Sequence, residues 1–198
     1  MKRQLELLRA DVGGLRANSV WDLNGYLTFE VSNGYPTAVF RGVNVQIVNG
    51  TGETQTVNGT GNLIVGYNRP NTNGFACSLG VTESATVCLA NGGVWAQSHK
   101  GGSHNIVGGD FNNYSSWGGL VFGQENALSA PYASVLGGAR NRAAGSFASI
   151  VGGTYNTASG IYSSVSAGSA NHASGSFAAV AGGMRRIASG PNDWAAPR

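Results

Sequence analysis

A fifteen-residue repeat runs through the second half of this chain. Four consecutive segments, covering residues 133–192, read ASVLGGARNRAAGSF, ASIVGGTYNTASGIY, SSVSAGSANHASGSF and AAVAGGMRRIASGPN. The segment before them, residues 118–132, keeps the same frame, and one step further back the spacing is fourteen. A short period sustained over several units is typical of a solenoid, in which equivalent positions of successive coils stack on one another.

The columns of the repeat have distinct residue types. Glycine, which supplies 32 of the 198 residues, recurs at two positions that suit turns. An aliphatic residue holds a third position and asparagine a fourth, where a left-handed backbone and a stacked amide ladder would both fit. The two glycine columns are Gly123, Gly138, Gly153, Gly168 and Gly183, and Gly145, Gly160, Gly175 and Gly190. The aliphatic column is Leu120, Val135, Ile150, Val165 and Val180, and the asparagine column is Asn126, Asn141, Asn156 and Asn171. The pattern predicts an all-β solenoid with two short strands per coil, stacked about 4.8 Å apart.

Two further columns indicate that the solenoid needs a partner. The aromatic column is Tyr132, Phe147, Tyr162 and Phe177, and the alanine column is Ala143, Ala158, Ala173 and Ala188. One aliphatic side chain and one ring per coil bury little apolar area against the entropy of ordering fifteen residues. We therefore expect self-association, with the rings packed at the seam between copies. An exposed ladder that stacks on glycans is the alternative.

The composition argues against several classes of protein. Charged residues make up only 11% of the chain, whereas globular enzymes carry about a quarter, and the high net charge of disordered chains is missing. A formal charge of +3 with scattered basic residues predicts no nucleic-acid partner. No apolar run approaches the roughly 18 residues of a membrane-spanning helix, so no direct membrane insertion is expected. The start, MKRQLELLRADV, is not a signal peptide, because Glu6, Arg9 and Asp11 interrupt its apolar part.

The amino-terminal part is predicted to contain a short helix followed by β structure. In residues 1–18, apolar side chains alternate at spacings of four and three, as in a coiled-coil seam. That seam consists of Met1, Leu5, Leu8, Val12 and Leu15. An amphipathic helix lying on the chain's own core is the alternative. Residues 19–68 alternate apolar runs with Asn-Gly turns, which predicts a β segment that leads into the solenoid.

Residues 69–101 break the period and form a predicted insertion, called the excursion below. It holds the two cysteines of the chain, Cys77 and Cys88, whose spacing of eleven fits no zinc motif. We expect a local disulfide and hence an oxidising compartment, with two buried free thiols as the alternative. Because loops on rigid scaffolds commonly carry function, Phe75 and Trp95 of the excursion are binding candidates.

The unit SVxGGxxNxASGxY resembles the head repeat of trimeric autotransporter adhesins, the YadA-like heads. The resemblance covers residues 102–190 well and 60–68 faintly, and leaves 191–198 as a tail. The family's S-V-A-I-G core is matched at Ser134-Val135-Leu136-Gly137 and Ser149-Ile150-Val151-Gly152, and less closely at Ser164-Val165-Ser166-Ala167. The resemblance implies a left-handed parallel β-roll with 14–15-residue repeats that forms a homotrimer beside a coiled coil. Two features depart from the family: the short helix precedes the head instead of following it, and no anchoring β-barrel is expected from this sequence.

Catalytic chemistry finds little support in the residue pattern. His99 and His104 are five residues apart and, with the distant His172, are the metal-ligand candidates of a trimeric β-helix enzyme resembling a class of carbonic anhydrase. Asp110 and Glu125 are acid/base candidates by position alone, and the aliphatic period of six that marks hexapeptide-repeat enzymes is missing. We expect these histidines to lie in loops and to form hydrogen bonds with the backbone, with no bound metal and no cofactor.

The sequence therefore predicts a non-catalytic, trimeric adhesive or fibre protein at a cell or particle surface. Its partners would be further copies of itself and a host or environmental surface, a matrix protein or a glycan. A tail-fibre segment of a phage or contractile injection particle would share the fold and is the first alternative, and the metalloenzyme is the second.

Overall fold

The computed structural model describes residues 2–16, 22–72, 74–80 and 84–196. The chain divides into two compact units, Met1–Gln46 and Ile47–Arg198. Within the described residues, no helix combines the length and the apolarity needed to cross a bilayer. The two units differ in architecture and are described in turn.

The first unit contains a helix and a β-hairpin. The helix spans Lys2–Arg16, and Leu5 and Val12 of the predicted seam are exposed on it. Met1, residues 17 and 18, and the side chains of Leu8 and Leu15 lie outside the described part, so the predicted coiled coil stays a prediction. The hairpin pairs Leu27–Ser32 with Tyr35–Phe40 in antiparallel register. Its Asn-Gly turn has positive φ at both residues, which is what a tight two-residue connection requires.

The second unit is a parallel β-solenoid with two sheets, named sheet A and sheet B here. Sheet A has eight strands: Leu63–Val65, Ile106–Asp110, Leu120–Gln124, Ser134–Val135, Ser149–Ile150, Ser164–Val165, Ala179–Val180 and Trp194–Ala195. Sheet B has six: Asn113–Tyr114, Ala127–Leu128, Arg142–Ala143, Thr157–Ala158, His172–Ala173 and Ile187–Ala188. From Ile106–Asp110 onward, successive strands alternate between the sheets, so each coil from there to Ile187–Ala188 adds one strand to each sheet. The predicted all-β parallel solenoid is confirmed, and sheet A continues past residue 190 to Trp194–Ala195.

The core is a thin column of aliphatic and alanine side chains between the two sheets. Val135, Ile150, Val165 and Val180 are fully buried or nearly so, together with the alanine column of sheet B. Leu120 does not belong to this column, contrary to the sequence alignment. It pairs with Ser134 and is only partly buried, whereas Val121 pairs with Val135 and is completely buried. The coil of Val121 is one residue shorter than the next, because Val121 precedes Asn126 by five residues and Val135 precedes Asn141 by six. Pairing of the strands nevertheless aligns Val121 with Val135.

The excursion folds into a small module held by the predicted disulfide. Strands Ala76–Cys77 and Trp95–Ala96 pair antiparallel, and helix Ala85–Ala90 begins after Ser84, whose hydroxyl accepts from the Val87 N–H. A bond of 2.04 Å joins the sulfurs of Cys77 and Cys88. The free-thiol alternative is therefore wrong for this structure. The module contains its own strand pair and packs its disulfide against Gly93, where an added Cβ would meet both sulfurs.

Candidate functional site

The aromatic column forms a continuous stack of rings along one edge of the solenoid, called the aromatic ladder below. Tyr132, Phe147, Tyr162 and Phe177 follow one another with centroid separations of 5.0, 4.7 and 5.1 Å, and Trp117 meets Tyr132 edge-on at 4.6 Å. The four stacked rings are between 41% and 59% exposed. About half of the surface of each of these residues therefore faces outward along the stack.

The backbone holds each ring of the ladder in place. All four stacked residues sit at a corner with φ between 55° and 60°, a region that bulky residues rarely adopt. The N–H of Phe147 donates to the Pro131 carbonyl at 3.0 Å, and that of Tyr162 donates to the Ser146 carbonyl at 2.9 Å. Because every corner is bonded to the coil before it, the rings are preorganised at the strand spacing.

A buried asparagine ladder runs through the core beside the first glycine column. The Asn156 amide group donates to the carbonyls of Gly152 and Gly168, both at 3.0 Å, and its Oδ1 accepts from the Asn171 N–H at 3.0 Å. Equivalent bonds are made by Asn126, Asn141 and Asn171. The structure thus selects the amide ladder over the left-handed backbone. The left-handed residue is the one just before each asparagine, such as Tyr155 with φ 57°.

These left-handed corners carry a charged and aromatic column that the sequence reading did not identify as a unit. Arg140 lies between the equivalent residues of the neighbouring coils, Glu125 and Tyr155. Its Nε donates to Glu125 Oε2 at 2.8 Å, and its Nη1 donates to the Tyr155 hydroxyl. These two acceptors raise the pKa of the Arg140 guanidinium, which stays charged. Glu125, Arg140 and Tyr155 are spaced by fifteen residues in the sequence. The residue type at this position varies from repeat to repeat, so the repeat pattern alone does not mark it as a column.

A groove of about 410 Å³ separates this column from the excursion. Phe75, which is 57% exposed, and Asn71 line it on the excursion side. Glu125, Arg140 and Tyr155 line it on the solenoid side, so an open surface combines two aromatic rings with charged and amide groups. Such a mixture suits an extended polar ligand with apolar faces, such as an oligosaccharide or a peptide.

The binding candidates of the sequence analysis are distributed over different surfaces. Phe75 reaches the groove, whereas Trp95 lies in the strand pair of the excursion opposite Cys77 and is half-buried. The aromatic ladder forms its own strip and contributes no residue to the groove. In comparisons with protein-family models, curated proteins and solved structures, no match to this chain was found.

The two histidines proposed as metal ligands bond to the backbone. Both ring nitrogens of His104 are engaged: Nε2 accepts from the Asn49 N–H at 3.1 Å, so Nδ1 carries the hydrogen and donates to the Thr54 carbonyl at 3.1 Å. Nε2 of His99 lies 2.9 Å from the Ala76 carbonyl and donates to it. Across the described ranges, His, Cys, Asp and Glu side chains do not gather in threes around a point that could hold an ion.

A second cavity of about 470 Å³ lies where the excursion rejoins the solenoid, and Lys100 lines it. Lys100 Nζ donates to the carbonyls of Asn68 and Asn112, at 2.7 and 3.0 Å. Burial lowers the pKa of this ammonium group to about 8, and the nearby Asp110 carboxylate opposes that shift. Asp110 is itself paired with Arg69, which holds the pKa of the carboxyl below its usual value. These contacts anchor both ends of the excursion to the coil beneath it.

Proposed function

We propose that this chain is a non-catalytic, structural and adhesive protein of a cell or particle surface, built as a homotrimeric fibre. In this proposal the solenoid is a left-handed β-roll with 14–15-residue repeats, similar to the YadA-like heads, and the amino-terminal helix forms a short coiled coil with its copies. The aromatic ladder lies at the seam between protomers. The groove beside Phe75 faces outward and takes the ligand.

The half-exposed aromatic ladder is the observation that carries this proposal. A monomer would leave the strip of four stacked rings in water, and contiguous apolar strips of this kind mark interaction sites. The core itself is thin, with one aliphatic and two alanine side chains buried in three of the four repeats of residues 133–192, for example Ala148, Ile150 and Ala158. Association along the ladder would supply apolar burial that a single coil lacks, and would repeat it at every level of the stack.

The adhesive part of the proposal rests on the groove. Phe75 and Tyr155 offer exposed ring faces, and the Arg140–Glu125 pair offers hydrogen-bonding groups on a surface that the disulfide and the solenoid keep rigid. Three copies around an axis would present three such grooves, so that even modest affinity per groove gives firm attachment to a multivalent surface.

The seam is tested by removing apolar side chains from the ladder. The double variant Phe147→Ser/Tyr162→Ser should raise the concentration for half-dissociation of the trimer at least about a hundred-fold, because each buried ring contributes about 1.5–3 kcal/mol. Mass by light scattering between 0.1 and 50 μM is the measurement. The control is Val151→Ser/Tyr155→Ser, which removes two side chains that are equally exposed, 53% each, but lie outside the ladder. A wild-type protein that is monomeric throughout this range would contradict the trimer.

Adhesion is tested with the same preparations on immobilised oligosaccharides and extracellular-matrix proteins. The wild-type trimer should be retained on at least one class of surface, and Phe75→Ala should reduce retention at least about ten-fold without changing the mass, because it removes one ring face per groove. Leu136→Ala, which alters an exposed residue of sheet A away from the groove, is the matched control. Equal retention of Phe75→Ala and wild type would show that the groove is not the contact surface.

A further inference from the structure

The hairpin of the first unit has one face that is entirely apolar. In an antiparallel pair, directly opposed residues share a face, and successive residues along a strand lie on opposite faces. Three opposed pairs make up the face in question, here called the apolar hairpin face: Leu27 with Phe40, Phe29 with Ala38, and Val31 with Pro36. All six residues are exposed, and Phe29 and Val31 reach 78% and 72%.

The opposite face of the same hairpin is suited to water. Its opposed pairs are Thr28 with Val39, Glu30 with Thr37, and Ser32 with Tyr35. Arg41 forms a bidentate pair with the Glu30 carboxylate, with N–O distances of 2.6 and 3.0 Å, and its Nη1 also bonds the Thr28 hydroxyl. These bonds lower the pKa of Glu30 to about 2, so the carboxylate stays charged and the pair neutralises itself. The second face thus carries a polar group at five of its six positions, Val39 being the exception, whereas the apolar hairpin face carries none.

Within its described residues, the first unit shows no core that covers the apolar hairpin face. Of the side chains that the structure describes in this unit, none is buried. A two-stranded ribbon alone is at best marginally stable in water, and monomeric proteins rarely expose apolar patches larger than a few hundred Å². The helix of this unit also exposes apolar side chains, since Leu5 and Leu7 are 51% and 59% exposed.

We propose that the apolar hairpin face docks against the same face of other copies of this chain, around the symmetry axis of the assembly. The inference rests on the proposed homotrimer and names the surface that holds its amino-terminal part together. An extended interface without any charged group is typical of permanent association, and a copy of the same chain is the partner always present in equal amount during folding.

The shape of the face also favours a copy of itself. The large Phe29 lies directly opposite the small Ala38, so the face carries a projection and a hollow side by side. In the proposed contact, rotation about a symmetry axis would set Phe29 of one copy against Ala38 of the next, and the same contact would recur in every copy. Because the face carries no charge, it offers no electrostatic attraction to a charged partner.

A photo-crosslinker placed on the full-length chain tests this directly. With benzoylphenylalanine in place of Phe29, irradiation of the assembled protein should give covalent dimers and trimers on a denaturing gel. Peptide mapping should locate the new bond within residues 27–40 of a neighbouring copy. The matched probe replaces Tyr35, which is 73% exposed on the opposite face of the same hairpin, and should crosslink between copies at least ten-fold less.

A substitution gives a second readout that does not depend on the probe. Phe29→Ser should speed hydrogen exchange of the hairpin amides at least ten-fold and leave the amides of sheets A and B unchanged, whereas Tyr35→Ser should leave both as in the wild type. Unaltered protection of the hairpin in Phe29→Ser would overturn the inference. If the wild type is a trimer, crosslinks from position 29 that fall within its own chain or on residues 47–196 would also overturn the inference. The proposed homotrimer would not be affected by that result. A wild type that is monomeric would contradict both the proposed homotrimer and this inference.

Discussion

Replacing Gly153 by alanine is expected to cost about 3–5 kcal/mol of the free energy of unfolding and to leave little soluble protein. Gly153 has a φ of +86°, which side-chain-bearing residues rarely adopt. A Cβ there would also lie 2.7 Å from Asn156 Nδ2 and 2.8 Å from the Gly168 nitrogen. Because the Gly168 contact is backbone of the next coil, relief requires the coils themselves to move apart. Urea unfolding followed by circular dichroism measures the loss.

The neighbouring glycine provides the control for this prediction. Gly152 has no atom within 4 Å of an added Cβ and lacks a positive φ. Gly152→Ala should therefore change the free energy of unfolding by less than about 1 kcal/mol, since alanine meets no neighbour there and restricts only the unfolded chain. If Gly152→Ala and Gly153→Ala destabilise equally, the stacking of consecutive coils at this turn is not as described.

Replacing Asn156 by alanine is expected to cost about 2–4 kcal/mol. The substitution removes two donors and one acceptor from a fully buried position. The Gly168 carbonyl keeps its bond from the Thr154 N–H, but the Asn171 N–H loses its acceptor inside the core. An unsatisfied buried donor costs about 1–3 kcal/mol, and the lost volume adds to this. The same urea titrations provide the measurement.

Two further substitutions separate the amide ladder from general disturbance of the coil. Thr154→Ala alters an exposed residue of the same coil, whose hydroxyl makes one 3.3 Å bond to Ser169, and should stay within about 0.5 kcal/mol of wild type. Asn156→Asp keeps an acceptor for the Asn171 N–H but faces two carbonyls with a buried carboxylate, so it should destabilise more at pH 7 than at pH 4. Equal stability of Asn156→Ala and Thr154→Ala would show that the ladder bonds contribute nothing.

Much of the solenoid was predictable because its repeat expresses local rules. Valine or isoleucine at one position and glycine at two others, recurring every fifteen residues, leave a stacked parallel structure as the arrangement that satisfies the backbone of every coil. The disulfide was predictable for a related reason, since two cysteines eleven residues apart lie within one insertion. In the amino-terminal part, the Asn33-Gly34 turn between alternating strands predicted the hairpin. Residues 41–62, which were expected to belong to the same β segment, contain no strand.

The errors and open alternatives lay where one position allows two arrangements. The sequence alignment assigned Leu120 to the core column, but pairing with Ser134 turns it outward and brings in Val121. A shift of one residue exchanges the two faces of a strand, and only the neighbouring strand determines which register holds. Asparagine is equally compatible with a left-handed corner and with a buried ladder, and the carbonyls of the next coil decide for the ladder.

What the sequence by itself determined is the unit of structure: a short coil, its turns, its inward aliphatic residue and its column of rings. What only the tertiary structure decided is how surfaces far apart in the chain come together. The groove joins Phe75 to Arg140 and Tyr155 of two different coils, a separation of 65 to 80 residues that no local pattern encodes. The two-faced character of the hairpin likewise depends on cross-strand register. Local propensity determines the conformation of each short segment. Long-range contacts are determined by packing, in which many weak interactions act together.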